Sequence, residues 1–343
     1  MASRPYRRTA LAFVIFAALV SNGASRVTLA ASNWQPPPKN KDITISNGGL
    51  SVTFNIAWGA VVVGISNKYV AHGLNIVDFH DVGRELQVDQ FLSRNAPGPQ
   101  PLLVNPTQAG AEGGQAYYRH PHGSIVPQKG SPVVRWKAGR HRFMAVIRPW
   151  DYDTGNATHW VYTERVHIDR NGVAHFQYLF QRHGRGTFRM NTEIPTLYSD
   201  RTNAFMYPTQ NPYTRGAETV KHFRFSRPPV RLVTGRPLWG QHHLISKGWI
   251  ANIDTANRIG IFYTTPVGLP ETFGCFPGAG VSDRLPLGKT NVFGNHLICR
   301  PNEVYSVRFS VLVATPERGP ALISRQKPAV LHIGGRRRHA ARH

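Results

Sequence analysis

Apolar and polar residues alternate with a period of two in segment after segment of this chain, and that pattern constrains its fold more than any other feature. The alternation runs through Ile43–Ser46, Leu50–Ile56, Ala60–Ser66, Val133–Lys137, Phe143–Trp150 and Trp160–Asp169. It resumes over Val173–Gln181, Leu244–Ile253, Ile259–Thr264 and Val304–Ala314. Successive side chains of a strand point to opposite faces, so each segment reads as a strand with one apolar face. Gly, Pro, Asn and Asp bound the segments, and no stretch supplies a convincing helix of three turns. The expected fold class is all-β, a large antiparallel β-sandwich. Asp169-Arg-Asn-Gly172 predicts a tight turn, because Asn-Gly adopts the left-handed conformations such turns demand. Trp160–Gln181 is then one long hairpin.

Residues 1–30 predict a secretory signal peptide: Arg4, Arg7 and Arg8 precede the apolar run Leu11–Val20, and Thr28 and Ala30 fit a small-residue cleavage site, with Ala24 as the alternative. The run is too short to span a bilayer comfortably, and no other segment looks membrane-spanning. The expectation is a secreted or periplasmic protein with no membrane span. One domain is expected over residues 34–328, followed by a basic, disordered tail over 329–343 that ends in Arg336-Arg-Arg-His-Ala-Ala-Arg-His343. Two stretches rich in Pro, Gly, Asn and Gln, Leu92–Ser131 and Ser199–Leu238, break the alternation and read as long functional loops. Cys275 and Cys299 are the sequence's two cysteines, and outside the cytoplasm they are expected to form a disulfide.

Charge narrows the partners. The chain carries a net +23, and removing residues 1–30, with their four arginines and no acid, leaves +19. Such a balance favours acidic partners. Export argues against nucleic acid, which leaves polyuronates, sulfated glycans or an anionic envelope. An arginine-rich compositional bias accounts for the same number without any partner.

Two motifs concentrate groups that suit a polyhydroxylated ligand: Asp78-Phe-His-Asp-Val-Gly-Arg-Glu-Leu-Gln87 and Asn105-Pro-Thr-Gln-Ala-Gly110. Asp81 accepts hydrogen bonds, Arg84 donates through a planar fork, and Gln87, Asn105 and Gln108 do both. Both motifs read as loops after strand-like runs, where binding residues concentrate. Glu193, in Asn191-Thr-Glu-Ile-Pro-Thr-Leu-Tyr198, is placed at a strand end and is the preferred catalytic carboxylate; the alternative is a hydrogen bond that anchors the loop. Glycoside hydrolysis needs a second carboxylate, for which Asp81, Asp151 and Asp153 are candidates. His120 and His122 are candidates for proton transfer. With no acid or cysteine at ligand spacing they predict no metal, and nothing in the chain calls for a cofactor. Trp239 and Trp58 are expected in a cleft wall, and Trp249 in the core. Glu164 shares a strand face with Trp160 and Tyr162; it is either a desolvated acid in an aromatic cleft or the partner of Arg148 or Arg165.

Leu50-Ser-Val-Thr-Phe, Gly59-Ala-Val-Val-Val-Gly-Ile-Ser and residues 75–87 resemble the opening of galactose-mutarotase-like β-supersandwich proteins. Asn105–Gly110, Glu193–Tyr198 and Gly248–Asp254 resemble a group of secreted bacterial proteins of this kind. The resemblance covers most of the chain after residue 30 and implies one large antiparallel sandwich with a concave sugar-binding face. That superfamily includes epimerases, glycoside hydrolase domains and polysaccharide lyase domains, so the fold does not choose the reaction. Its sugar epimerases use a histidine acid and a glutamate base, and their active-site motifs do not match this chain residue by residue. The leading expectation is an exported protein that cleaves or modifies a glycan, as a glycoside hydrolase or polysaccharide lyase. The rivals are a non-catalytic glycan-binding protein of the envelope and a structural periplasmic β-sandwich protein.

Overall fold

The computed structural model describes residues 42–77, 86–92, 103–105, 108–109, 117–119, 125–127, 129–151, 155–185, 187–199, 202, 204–208, 219–223, 230–234, 248–265, 272–277 and 288–333. All of them belong to one compact unit, Gln35–His343. In chain order the strands begin with β1 (Asp42–Asn47), β2 (Leu50–Asn55), β3 (Val61–Asn67), β4 (Leu86–Leu92), β5 (Leu103–Asn105), β6 (Gln108–Ala109), β7 (Tyr117–Arg119) and β8 (Ile125–Pro127). They continue with β9 (Lys129–Gly130), β10 (Val133–Gly139), β11 (Arg142–Ile147), β12 (Trp150–Asp151), β13 (Trp160–Ile168), β14 (Ala174–Arg182), β15 (Phe188–Ser199) and β16 (Ala204–Pro208). The last are β17 (Thr219–Phe223), β18 (Val230–Thr234), β19 (Trp249–Asp254), β20 (Ile259–Thr264), β21 (Thr272–Pro277), β22 (Gly288–Cys299), β23 (Val304–Ala314) and β24 (Val330–Ile333).

An eleven-stranded sheet runs β10-β11-β13-β14-β23-β20-β19-β16-β18-β17, with β24 added beside β23. A six-stranded sheet runs β12-β5-β4-β15-β22-β21, and β1-β2-β3 form a third. β6 with β9 and β7 with β8 make two small ribbons. The pairings are antiparallel, as the alternation predicts. One hydrophobic cluster draws on all three large sheets, with Phe54 and Val52 from the three-stranded sheet, Tyr162, Phe176 and Phe180 from the largest, and Leu86 and Leu197 from the six-stranded one. Stacked rings join its parts: Phe54 and Phe143, with centroids 3.9 Å apart, link the three-stranded sheet to the eleven-stranded one, and Phe176 and Phe309, 5.0 Å apart, link the paired strands β14 and β23.

The Trp160–Gln181 hairpin forms, extending to Trp160 opposite Arg182. Asp169 closes it: its carbonyl accepts from Gly172 N, and its Oδ1 accepts from the amides of Asn171 and Val173. Only Gly172 of the Asn-Gly pair is left-handed, at φ +74°, so a single glycine supplies what the turn needs. A Cβ there would stand 2.7 Å from the Gly48 carbonyl oxygen.

Three expectations change. Leu92–Ser131 and Ser199–Leu238 are not wholly loops: they contain β5 to β9 and β16 to β18. β16 is buried at every position, and a strand covered on both faces shows no alternation. The sheet also passes the expected domain end at 328, because Ala329 is buried and β24 pairs with β23; residues 334–343 lie outside the described residues.

The disulfide is the third. Cys275 stands opposite Thr290, nine positions along β22 from Cys299. At about 3.3 Å per residue that is roughly 30 Å, against the 4.4–6.8 Å between Cα atoms that a bridge allows. Cys299 is a free, buried thiol whose pKa burial pushes up to about 12.

Candidate functional site

β15 is a central strand of the six-stranded sheet, and its sequence breaks a rule for such strands. Pro195 cannot donate to a ladder, so a proline there is confined to a bulge. The bulge is present: on both sides of β15 the register shifts between Glu193 and Thr196, giving β15 one extra residue against β4 and against β22. Bulges bend a strand and re-aim residues, and they recur next to active sites. The far end of β15 is fastened by buried hydrogen bonds, with Ser199 Oγ 2.6 Å from Thr202 Oγ1 and accepting from Asn252 Nδ2 of β19 at 2.7 Å.

At the edge of the bulge Glu193 stands opposite Asp89 of β4 and Phe293 of β22. Phe293 in turn faces Thr272 of β21. On the other side the β4–β5 register, Gln90 with Val104, puts Asn105 beside Asp89 when extended by one residue, and Asn105 faces Trp150 of β12. One row therefore crosses the whole sheet: Trp150, Asn105, Asp89, Glu193, Phe293, Thr272. Gln87, two residues from Asp89, stands opposite Thr196 beyond the bulge. Leu86 and Leu197 stand opposite each other across the same pair of strands and belong to the hydrophobic core.

The β12 end of the row is braced. Trp150 Nε1 donates to the Gly130 carbonyl at 2.8 Å, its backbone amide donates to Ser131 Oγ at 3.3 Å, and Lys129 Nζ lies 3.9 Å above its ring. Gln108 pairs with Gly130 in β6–β9, so the second sequence motif is tied to the row through this glycine. Gly130 also packs against the turn at Ile56–Trp58, where an added Cβ would fall 1.9 Å from the Ala57 carbonyl oxygen. Backbone cannot yield as a side-chain tip does. Gly130→Ala is expected to cost about 2 kcal/mol or more by overpacking, read as a lower urea midpoint. An unchanged midpoint would mean that β9 is not pinned there.

Gln87, Asn105, Gln108 and Glu193, drawn from distant parts of the chain, are thus brought to one sheet and its flanking ribbon. They lie in strands, not in the loops expected, and Glu193 lies within β15, not at its end. Asp81, Arg84, His120, His122 and Trp239 lie outside the described residues, as does Asp153 among the proposed partners. Trp58 is half-buried in its turn and Trp249 is core, beside Phe262. Sequence reasoning missed Asp89 and Trp150. The signal for Asp89 was present in Leu86-Gln-Val-Asp, where apolar and polar residues alternate and set Gln87 and Asp89 on one face.

Glu164 belongs elsewhere. It is buried in the eleven-stranded sheet, opposite Tyr178, whose hydroxyl donates to its Oε1 at 2.8 Å. Burial pushes its pKa up to about 8. It is a protonated core acid, and neither a cleft residue nor paired with Arg148 or Arg165. Among the described residues no group of three or more His, Cys, Asp and Glu gathers as metal ligands, and no helix is long and apolar enough to cross a membrane.

No protein-family model matches the chain, and no curated protein matches it in sequence. Its solved-structure neighbours include galactose mutarotase-like proteins. One is a GalM/aldose epimerase homologue from C. elegans, 11% identical, with a TM-score of 0.49 over 81% of this chain and 99% of that one. Another is a galactose mutarotase related enzyme from Lactobacillus acidophilus, 9% identical, with a TM-score of 0.48 over 80% and 98%. A 4-alpha-glucanotransferase from Thermococcus litoralis is also similar, 8% identical, with a TM-score of 0.42 over 80% of this chain and 39% of that one.

Proposed function

We propose that this protein is an exported carbohydrate-active enzyme that hydrolyses a glycan, with Asp89 and Glu193 as its catalytic pair. The observation that carries the reading is that the two carboxylic residues stand directly opposite each other on adjacent strands, beside the bulge that Pro195 imposes. Directly opposite residues have Cα atoms about 4.5–5.5 Å apart. The proposed roles are divided, one carboxyl group giving a proton and the other acting as the carboxylate.

That is the division of labour a glycosidic bond requires. In the proposed reaction Glu193 protonates the leaving oxygen while the Asp89 carboxylate attacks the anomeric carbon; water, deprotonated by Glu193, then releases the sugar from Asp89. Trp150 offers an apolar ring for a pyranose face, and Asn105, Gln87 and Gln108 offer paired donors and acceptors for its hydroxyls. Elimination from a uronate is the weaker reading, because it needs a cation or amide to neutralise the substrate carboxylate and a base in place of a carboxylate pair. Export rests on the basic, apolar and small-residue pattern of residues 1–30.

The test is incubation of the purified protein and its Glu193→Gln variant with neutral and acidic polysaccharides, following reducing ends and the ultraviolet absorbance of unsaturated uronates. New reducing ends without absorbance, absent from the variant, are expected. Absorbance would replace hydrolysis by elimination. Retention on immobilised glycan with no product in any reaction would make the protein a glycan-binding one.

A further inference from the structure

The face of the eleven-stranded sheet turned from the core carries a second pattern. Register places Lys137, Met144, Arg165, Gln177 and Arg308 in one row across β10, β11, β13, β14 and β23. The next row holds Gly139, Arg142, His167, His175 and Ser310. Neither row contains an acid. Lys137, Arg142 and Arg308 are exposed, and the Arg165 Nε is buried with no hydrogen-bond partner among the described residues. Met144, between Lys137 and Arg165, is only 8% exposed although it stands on the outer face; long basic side chains cover such a residue with their stems while their charges stay in water.

We propose that this face binds an extended polyuronate along the row Lys137, Arg165, Arg308. The cations recur every second strand, about 10 Å apart at the usual strand spacing. In an extended polyuronate, alternate sugars present carboxylates to one side at a comparable repeat. Guanidinium forks match carboxylates in two-point contacts; the Nε and Nη2 of Arg308 donate to the Gln177 side-chain oxygen at 3.1 Å, which steadies that guanidinium and leaves its Nη1 side for a ligand. Double-stranded DNA carries one charge per about 1.7 Å of axis, far denser than this row. The surface lies on a different sheet from the catalytic pair, so it would hold chain remote from the scissile bond. The choice of a glycan as occupant rests on the function proposed above.

The experiment measures binding, so it stands apart from turnover: polygalacturonate retardation of the Glu193→Gln protein in affinity gels at fixed salt. Lys137→Glu with Arg308→Glu in that background is expected to weaken retardation at least about tenfold. Lys68→Glu with Arg325→Glu changes net charge equally at positions that are not in the row, and is expected to leave it within about twofold. Equal weakening by both pairs would overturn the proposal, leaving net charge as the cause. Equal or tighter binding of a short DNA duplex at the same salt would also overturn it, as would undiminished retardation of Lys137→Glu/Arg308→Glu. Circular dichroism of each variant checks that the sheet is intact.

Discussion

Glu193→Gln is expected to lower kcat on the hydrolysed glycan about 10³-fold, the typical worth of a positioned proton donor, with KM changed little. Asp89→Asn is expected to fall at least as far. The double variant should be hardly slower than the worse single one, because the residues act as a unit. Stability should hardly move, because in the proposed mechanism only one member of the pair is charged, and each substitution puts an amide in place of one carboxyl group across the β4–β15 pairing. Lost turnover at a level melting temperature is a signature that a loop-anchoring role for Glu193 does not produce: an anchor removed lowers the melting temperature. Full activity in either variant takes that residue out of the mechanism.

The second large effect concerns Glu164. Its folded pKa is about 8 against an ordinary value of 4.5, raised by burial and only partly offset by the Tyr178 hydroxyl. Between those values the unfolded chain releases a proton that the folded protein keeps. Stability is therefore greatest below the unfolded value, falls as pH rises, and levels off above about pH 8. At 1.36 kcal/mol per unit the loss reaches up to about 5 kcal/mol. Glu164→Gln keeps an acceptor for Tyr178 and has no proton to lose. It should match the native protein near pH 4.5 and melt about 5 °C or more above it at pH 8. Melting curves of the two proteins that stay parallel across this range would contradict the buried neutral acid.

What the sequence made legible follows from burial geometry. β13, β14, β20 and β23 were readable because β13 and β14 alternate cleanly, β23 alternates through its first half, and β20 is a short apolar run rich in Ile and aromatic residues. The six-stranded sheet was mostly hidden. β15 carries a bulge that resets its alternation by one residue, and β5 and β12 are only three and two residues long. The candidate site suffered from the same cause. Residue type alone singled out Gln87, Asn105, Gln108 and Glu193, but only strand register sets Asp89 against Glu193. The disulfide expectation failed because compartment and cysteine count say nothing of distance, and pairing β21 with β22 sets the two cysteines nine positions apart.

The central claim is that Asp89 and Glu193 act across a single strand spacing. Carboxyl groups about 5–5.5 Å apart retain anomeric configuration, whereas separations of about 6.5–9.5 Å admit a water and invert it. The most direct measurement is the proton magnetic resonance spectrum of the first-formed product, recorded before mutarotation scrambles it. The pair predicts the same anomer as the substrate. The opposite anomer would mean that the second carboxylate lies farther away and that Asp89 is not the partner of Glu193.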